Sequence, residues 1–435
     1  MAETTKIEWT NRRDPTSGAV VEGKTFNPWI GCTKVSEACK NCYAERDAKR
    51  RGMVAWGPEA SGGTRVLTGD NYWTEAERWA RKAHAAGVRP LVFCASWADV
   101  AEEWAGPMID SHGRLVMRHP ELDGRAQWKA VPFLSSPDEL APPGLFSSVC
   151  THHAPGGWLP LTMRDAREEL WRLIARTSHA LDWLLLTKRP DVLARAWPGF
   201  EAAYRAELER QLADPRPVST ARPTPKDVFR RPLAFVDAHG LIPSAWPGAT
   251  VEAQKWVAPR LAHLCSIPAV RRFVSAEPLV ERVVFAGTTE EKGLTKVWNY
   301  LARPPVFNGT TLLDGDRHGV HWLITGGESG GGASPAHPAW YRDLRTQAAG
   351  AGTPFFFKQW GEFLPLDHAA PGDEASADEW VWPDGVARDV KDPAVTAATR
   401  AGRIPLPMTT FRVGKKAAGR TLDGVEHSAI PESVL

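Results

Sequence analysis

The sequence lacks long hydrophobic runs, an excess of charge of either sign, and a high cysteine content. No apolar stretch approaches the roughly 18 residues that a transmembrane helix needs, so a membrane-spanning helix is excluded. Residues 1–6 contain no apolar signal region, and we therefore expect a cytoplasmic protein. With 53 basic and 51 acidic residues, the net charge is only +2. Such a balance argues against a protein that coats nucleic acid by charge alone.

Six cysteines in 435 residues are too few for a small secreted scaffold that is held together by disulfides. The hydrophobic fraction of 43% is typical of a globular protein with a sizeable core. Three cysteines fall within one short segment, and the other three are scattered along the chain. This distribution is typical of an intracellular protein with one thiolate-rich metal or cluster site.

Short apolar segments alternate with helical segments along the chain. Continuous hydrophobicity in these segments favours parallel strands that are covered on both faces. Two weaker candidates, just before Cys32 and at residues 65–67, raise the number of strands to about eight. We therefore predict an α/β fold with a complete or nearly closed parallel (β/α) barrel, and an open doubly wound sheet as the alternative. The six clearer strand segments are residues 90–99, 181–190, 248–252, 272–278, 321–329 and 353–360.

The predicted barrel covers residues 1–361 and is interrupted by three insertions. The insertions lie near residues 106–160, 196–247 and 286–318, where proline, glycine and polar residues replace the strand–helix alternation. The same alternation is lost from residue 362 onward. We therefore predict that residues 362–435 form an irregular C-terminal extension that packs on the barrel.

The strongest chemical signal is a cysteine triplet with the spacing C-x6-C-x2-C, formed by Cys32, Cys39 and Cys42. Three thiolates from one loop can hold three corners of a [4Fe–4S] cluster. The fourth iron could then bind S-adenosylmethionine (SAM) through its amino and carboxylate groups. Reductive cleavage of this molecule would give a 5′-deoxyadenosyl radical, with the electron coming from an external donor such as flavodoxin or ferredoxin.

A zinc site is the alternative interpretation of the triplet. Zinc prefers four ligands, usually with a second C-x2-C or H-x3-H pair, and no such pair lies near the triplet in the sequence. Cys150, His152 and His153, in the first insertion, could complete such a site. The protein would then be a zinc-stabilised nucleic-acid-binding module without redox chemistry.

Eight short segments, which cover most of the chain outside the insertions, carry a family resemblance. They are residues 6–10 (KIEWT), 26–32 (FNPWIGC), 39–44 (CKNCYA), 185–190 (LLTKRP), 273–279 (FVSAEPL), 326–330 (GGESG), 355–361 (FFFKQWG) and 413–420 (VGKKAAGR). In these segments the chain resembles a phage-borne three-cysteine family of unknown function. That family is similar to a divergent branch of the radical SAM superfamily, and spore photoproduct lyase is among the relatives it suggests. The resemblance implies a barrel and a three-cysteine cluster but no established substrate.

Polar residues that follow the predicted strands supply the remaining candidates for cofactor binding. The carboxyl ends of parallel strands meet on one face of a barrel, so we expect these residues to converge. Glu328 is the candidate for the SAM amino group, and glycine at the two preceding positions would allow close backbone approach. Three basic residues at two strand ends could bind the SAM carboxylate or a substrate phosphate, and Glu252 and Glu277 could bind ribose hydroxyls or polar groups of the substrate. The candidates not yet named are Gly326, Gly327, Lys188, Arg189, Lys358, Ser275 and Ser329.

Tryptophan makes up half of the aromatic residues, 20 beside 15 phenylalanines and 5 tyrosines. Trp9, Trp29 and Trp360 lie near the shared segments, where a nucleobase could stack on a ring beside arginine or lysine. We therefore expect a nucleobase or nucleic acid as the substrate, and no membrane partner. The sequence assigns no catalytic residue.

Overall fold

The computed structural model describes residues 5, 7–14, 17–119, 128–131, 158–214, 226–291, 294–301, 319–369, 377–386, 388 and 392–435. The chain divides into two units, Met1–Trp246 with Ser433–Leu435, and Pro247–Glu432. Cys150, His152 and His153, which could complete a zinc site, lie outside the described residues. No helix in the described ranges has both the length and the hydropathy that a membrane span requires.

The first unit contains three strands of a parallel sheet, a mixed sheet, a two-stranded sheet and five α-helices among its described residues. Its strands are β1 (Arg12–Arg13), β2 (Val20–Val21), β3 (Lys24–Phe26), β4 (Trp29–Ile30), β5 (Arg65–Leu67), β6 (Leu91–Cys94), β7 (Met108–Ile109), β8 (Leu115–Arg118), β9 (Trp128–Val131), β10 (Leu159–Pro160) and β11 (Asp182–Thr187). Its helices are α1 (Tyr43–Arg50), α2 (Asp70–Ala85), α3 (Met163–Thr177), α4 (Pro190–Ala213) and α5 (Arg230–His239). Strand β12 (Ala245–Thr250) begins in this unit and ends in the second.

The parallel sheet of the first unit has the strand order β11-β6-β3. Leu91 of β6 pairs with Asp182 of β11, and Val92 pairs with Lys24 of β3. All four residues of β6 are buried, as we predicted for a continuous apolar run covered on both faces. The carboxyl ends of β6 and β11 therefore lie side by side.

The two weaker strand candidates do not join the parallel sheet. Trp29 of β4 pairs antiparallel with Leu67 of β5, and these strands belong to a sheet with the order β10-β8-β7-β5-β4, in which β9 also pairs with β8. The third parallel strand is instead β3, which lies just before β4. Segments of two or three residues are too short for their hydrophobic pattern to show which sheet they enter.

The second unit contains the remaining parallel strands, in the order β17-β16-β13-β12. Its further strands are β13 (Phe273–Ala276), β14 (Ala286–Glu291), β15 (Leu294–Asn299), β16 (Trp322–Thr325), β17 (Phe355–Phe357), β18 (Phe363–Pro365), β19 (Ala377–Val381), β20 (Met408–Arg412), β21 (Thr421–Leu422) and β22 (Val425–Glu426). Its helices are α6 (Val257–Ser266), α7 (Pro338–Gly350), α8 (Pro393–Arg400) and α9 (Lys415–Ala418).

The predicted barrel is present only in part, because its sheet is open. Seven parallel strands pair in the order β17-β16-β13-β12-β11-β6-β3, and within the described residues the two edge strands do not pair with each other. A barrel needs about eight strands that pair around a ring. The estimate of eight depended on β4 and β5, which pair with each other elsewhere. The mixed α/β class and the six clearer parallel strands are confirmed.

Residues 362–435 are more regular than we predicted. Strand β20 lies between β18 and β19 in an antiparallel sheet, and β21 pairs with β22 in a hairpin. Helices α8 and α9 lie in the same stretch. The strands are two to five residues long, so that their hydrophobic pattern is hidden by the intervening polar residues.

Tryptophan side chains fill much of the core. In the first unit, Phe26 packs edge-to-face against Trp73 and Trp183, with ring centroids 5.4 Å apart in both pairs. The three tryptophans near the shared segments, Trp9, Trp29 and Trp360, are also buried. They are core residues, so none presents its face to a base in this structure. The tryptophans that are essentially inaccessible to solvent are Trp29, Trp73, Trp183, Trp197, Trp246 and Trp322.

Candidate functional site

The cysteine loop of the first unit, residues 32–42, begins at the end of β4. Gly31 precedes it and donates its backbone N–H to the carbonyl of Trp97 (3.0 Å), in the segment that follows β6. Gly31 has a φ of +114°, which favours glycine. A Cβ atom at this position would lie 2.7 Å from the carbonyl oxygen of Thr64. The local backbone therefore requires glycine, and it fixes the start of the loop beside the carboxyl end of β6.

A buried ion pair supports the first residues of the loop. Arg65 donates from Nε to Oε2 of Glu102 and from Nη2 to Oε1, both at 2.7 Å. Oε1 of Glu102 also accepts the backbone N–H of Thr33 (2.8 Å), while the Thr33 hydroxyl accepts from Arg65 Nη2 (2.8 Å). Arg65 and Glu102 are almost completely buried. The residue after Cys32 is therefore bonded to both members of a bidentate pair.

Arg189 joins Cys32 to the ends of two parallel strands. Its Nη1 donates to Oδ2 of Asp99 (2.7 Å) and lies 3.8 Å from Sγ of Cys32. Its Nη2 donates to the carbonyl of Thr33 (2.7 Å). Asp99 follows β6 and also accepts from the Thr187 hydroxyl at the end of β11. The polar residues after β6 and β11 thus converge on the first cysteine.

In the protein without bound metal, the local electrostatic environment keeps the thiol of Cys32 protonated and the carboxyl group of Asp99 ionised. Burial, together with the nearby carboxylates of Asp99 and Glu102, raises the pKa of Cys32 to about 12, although Arg189 opposes this shift. Burial also acts to raise the pKa of Asp99, but Arg189 and the hydrogen bonds from Thr187 and two backbone N–H groups hold it below its ordinary value. Cys32 is therefore a neutral thiol that would lose its proton when a metal binds.

The other two cysteines lie closer to solvent. Cys39 ends the short 3-10 turn Glu37–Cys39, and its Sγ is 3.9 Å from the Ser36 hydroxyl. Cys42 is the N-cap residue of α1. Lys34 forms an ion pair of 2.6 Å with Glu45 of α1, which links the loop to this helix. All three cysteines of the loop are therefore partly exposed, although protein surrounds Cys32 more closely, and all three are free of disulfides.

The donor set of the loop suits an iron–sulfur cluster better than zinc. Three free thiols match the three protein corners of an open cluster, whereas a zinc site needs a fourth ligand. The candidates for that ligand lie outside the described residues. Within the described part of the chain, no group of three or more His, Cys, Asp or Glu side chains is placed to hold a metal ion. The loop supplies the donors, but in this conformation it does not gather them around one point.

In the second unit, polar residues at neighbouring strand ends also contact each other. Nζ of Lys358, after β17, lies 2.8 and 3.0 Å from the two carboxylate oxygens of Glu277, after β13. Nε2 of Gln359 donates to the hydroxyl of Ser329, after β16 (2.9 Å). These ends meet as expected for parallel strands. Ser275, within β13, is buried and accepts the N–H of Val251 through its carbonyl (2.9 Å).

Gly326 and Gly327 pack against the chain itself. The N–H of Gly327 donates to the carbonyl of Gln359 (2.9 Å), and a Cβ at Gly327 would lie 1.8 Å from the carbonyl oxygen of Trp360. A Cβ at Gly326 would lie 3.2 Å from that of Lys358. Oε2 of Glu328 accepts the N–H of Ser334 (2.9 Å). Here glycine allows two backbone segments to approach, and the roles predicted for this motif in SAM binding stay predictions.

Replacing Gly327 with alanine should destabilise the second unit strongly. The new methyl group would overlap the backbone carbonyl of Trp360, which cannot move without shifting the strand end. We expect a loss of about 4 kcal/mol in the free energy of unfolding, at the upper end for single substitutions, measured by urea titration. Gly331→Ala is the matched control, because no atom lies within 4 Å of a Cβ there. Equal stability of the two variants would contradict the close approach.

Glu252, after β12, is engaged in a buried ion pair. Its Oε2 accepts from Nη1 of Arg260 on α6 (2.6 Å), and the guanidinium stacks over Trp256 at 4.1 Å from the ring centroid. Oε1 of Glu252 is buried and has no hydrogen-bond partner among the described residues. The role predicted for it, binding a ribose hydroxyl, would require access to this oxygen, which the structure does not show.

A groove of about 1120 Å³ lies along helices α3 and α4 in the first unit. Trp171 and Val192 form part of its apolar wall, and Arg164 and Arg195 are among its charged residues. Glu102 reaches its lining, but none of the predicted cofactor-binding residues does. None of the three cysteines of the loop lines this groove.

Sequence reasoning missed three residues that hold the loop, namely Thr33, Arg65 and Glu102. A signal for one of them was present, because Arg65 is the single charge in an otherwise apolar strand. A buried arginine needs a carboxylate partner, so we could expect an acidic residue in a segment that packs against this strand. Which acidic residue it is could not be read from the sequence, since 37 positions separate Arg65 from Glu102.

Comparison with known proteins identifies a family. A family model described as "Protein of unknown function (DUF5131)" matches residues 4–118 and 161–431. Neither the curated proteins nor the solved structures give a match. The matched residues cover most of the chain and include the cysteine loop and the strand ends that contact it. The protein therefore belongs to the DUF5131 family of proteins of unknown function.

Proposed function

We propose that the protein is a radical SAM-type iron–sulfur enzyme whose substrate is a nucleobase or nucleic acid. Cys32, Cys39 and Cys42 would hold a [4Fe–4S] cluster, which, when bound, would supply the electron that cleaves SAM to a 5′-deoxyadenosyl radical. An external donor such as flavodoxin or ferredoxin would deliver that electron. The observation that carries the proposal is the anchoring of Cys32 at the carboxyl ends of β6 and β11, where α/β enzymes place their reactive groups.

The residues around Cys32 have a definable part in this function. Arg189 would hold Cys32 and Thr33 in place, and its positive charge beside the sulfur would stabilise a thiolate. Asp99 orients Arg189, and the Arg65–Glu102 pair holds the backbone of the next residue. Because the guanidinium of Arg189 is bonded to these groups, we assign it to positioning the loop. Lys188, the residue before Arg189, is then the candidate for binding the carboxylate of SAM.

Anaerobic reconstitution with iron and sulfide tests the proposal. We expect a brown protein with about four irons per chain, and 5′-deoxyadenosine when SAM and a reductant are added. Metal content is measured by elemental analysis and the product by chromatography. A colourless protein that retains one zinc and yields no 5′-deoxyadenosine would contradict the proposal. That outcome would support the alternative, a zinc-stabilised nucleic-acid-binding module.

A further inference from the structure

The outer face of helix α1, directly after the third cysteine, presents three exposed basic side chains. The helix buries Ala44 and Ala48, whereas Arg46, Lys49 and Arg50 are exposed. Arg46 and Lys49 have no ion-pair partner in the part of the chain that the structure describes, and Arg50 has only a 3.3 Å contact with a neighbouring carboxylate. Glu45 and Asp47 of the same helix pair with Lys34 and Arg50, so the cations of this helix that remain for a ligand are Arg46 and Lys49.

An aromatic ring of fixed orientation lies at the start of this face. Tyr43 is 47% exposed, yet its hydroxyl donates to the backbone carbonyl of Ser96 (3.0 Å). This bond restrains the ring while its surface remains open to solvent. At the other end of the helix, the guanidinium of Arg51 lies 5.2 Å from the centroid of the Trp97 ring. The face thus combines an exposed, restrained ring with two cations, Arg46 and Lys49, that form no ion pair within the described part of the chain.

This combination fits the chemistry of a nucleic-acid strand with unpaired bases. Arginine and lysine bind phosphates, and an unpaired base can stack on an aromatic ring. A base within a duplex is already stacked on its neighbours, so the ring of Tyr43 would add nothing to duplex binding. The same ring gives little to an acidic protein partner, whose interface would need a much larger apolar area.

We propose that the outer face of α1 binds single-stranded nucleic acid. Arg46 and Lys49 contact the phosphates, and Tyr43 stacks on a base. The strand then passes beside the cysteine loop, because Cys42 caps the same helix. That this surface serves catalysis rests on the proposed function. The inference adds that the substrate is a polymer and that α1 binds it.

Binding to metal-free protein separates this inference from the cluster chemistry. Fluorescence anisotropy is measured with a labelled single-stranded DNA longer than the ~4–16 nucleotides that a single-strand-binding domain covers, over a series of salt concentrations. We expect Tyr43→Ala to weaken binding about tenfold through loss of stacking, while Tyr43→Phe, which keeps the ring, binds nearly as the natural chain does. Arg46→Gln with Lys49→Gln should reduce the slope of log K against log salt by about 1.4.

Arg231→Gln with Arg403→Gln is the matched control, because both side chains are exposed and neither belongs to α1. Thermal unfolding of every variant verifies that it is folded. The proposal is overturned if no oligonucleotide binds at low salt, if the control loses as much affinity, or if Tyr43→Ala has no effect. It is also overturned if duplex DNA competes equally, or if flavodoxin rather than DNA binds through these residues. Absence of iron would leave all of these measurements unchanged, so the two proposals can fail separately.

Discussion

Alanine at any one of Cys32, Cys39 or Cys42 is expected to lower the iron content from about four per chain to almost none. The reason is that an open cluster has three protein corners, and two thiolates do not retain it against loss to solvent. Formation of 5′-deoxyadenosine from SAM should be abolished in the same three variants. The two readouts are iron per chain after anaerobic reconstitution and product per chain after reduction.

Cys265→Ala is the control for these variants. Cys265 lies on α6 in the second unit, away from the cysteine loop in sequence, and its thiol is partly buried. It is the single cysteine of this helix, so α6 does not offer the several thiolates that a cluster needs. We expect the control to keep its iron and its activity. Iron loss in the control, or full iron in a loop variant, would contradict the assignment of the three ligands.

Alanine in place of Glu102 should cost about 3–5 kcal/mol in the free energy of unfolding, because Arg65 would remain buried without its carboxylate. The N–H of Thr33 would lose its acceptor at the same time, so the first cysteine would be less well held. Glu102→Gln keeps the shape and two hydrogen-bonding atoms, and should be destabilised less. Urea unfolding measures the stability, and iron retention measures the effect on the loop.

The neighbouring residue provides the control. The side chain of Glu103 is 68% exposed and makes only a long contact of 3.4 Å with Arg195. Since exposed ion pairs contribute little, Glu103→Ala should unfold close to the natural chain. If both glutamate variants were equally stable, the buried pair could not be the support of the loop that the geometry indicates.

The parallel strands were predictable because their apolar residues are continuous. Leu91–Cys94 and Asp182–Thr187 are long enough for the pattern to show burial on both faces. Lys24–Phe26 contains only one apolar residue in three, so nothing in its sequence distinguishes it from a loop. The closed barrel failed for a related reason, since two short candidates that were counted toward it pair with each other.

The cysteine loop and the strand-end arginine could also be found from the sequence, but the role of Arg189 could not. The position of Arg189 after a strand predicts where its side chain lies, but not which residues it contacts. Arg189 contacts Asp99, Thr33 and Cys32, and the last two precede it by more than 150 positions in the sequence. These contacts depend on how the cysteine loop packs against the strand ends, and no local sequence pattern predicts that packing.

Tryptophan fluorescence can report on the core of each unit, because both cores contain buried indole rings. Trp73 and Trp183 lie in the core of the first unit, and Trp322 and Trp340 lie in that of the second. Their emission shifts to longer wavelength when water reaches them. A single red shift on heating would mean that both units lose their cores together, whereas two successive shifts would mean that each unfolds by itself.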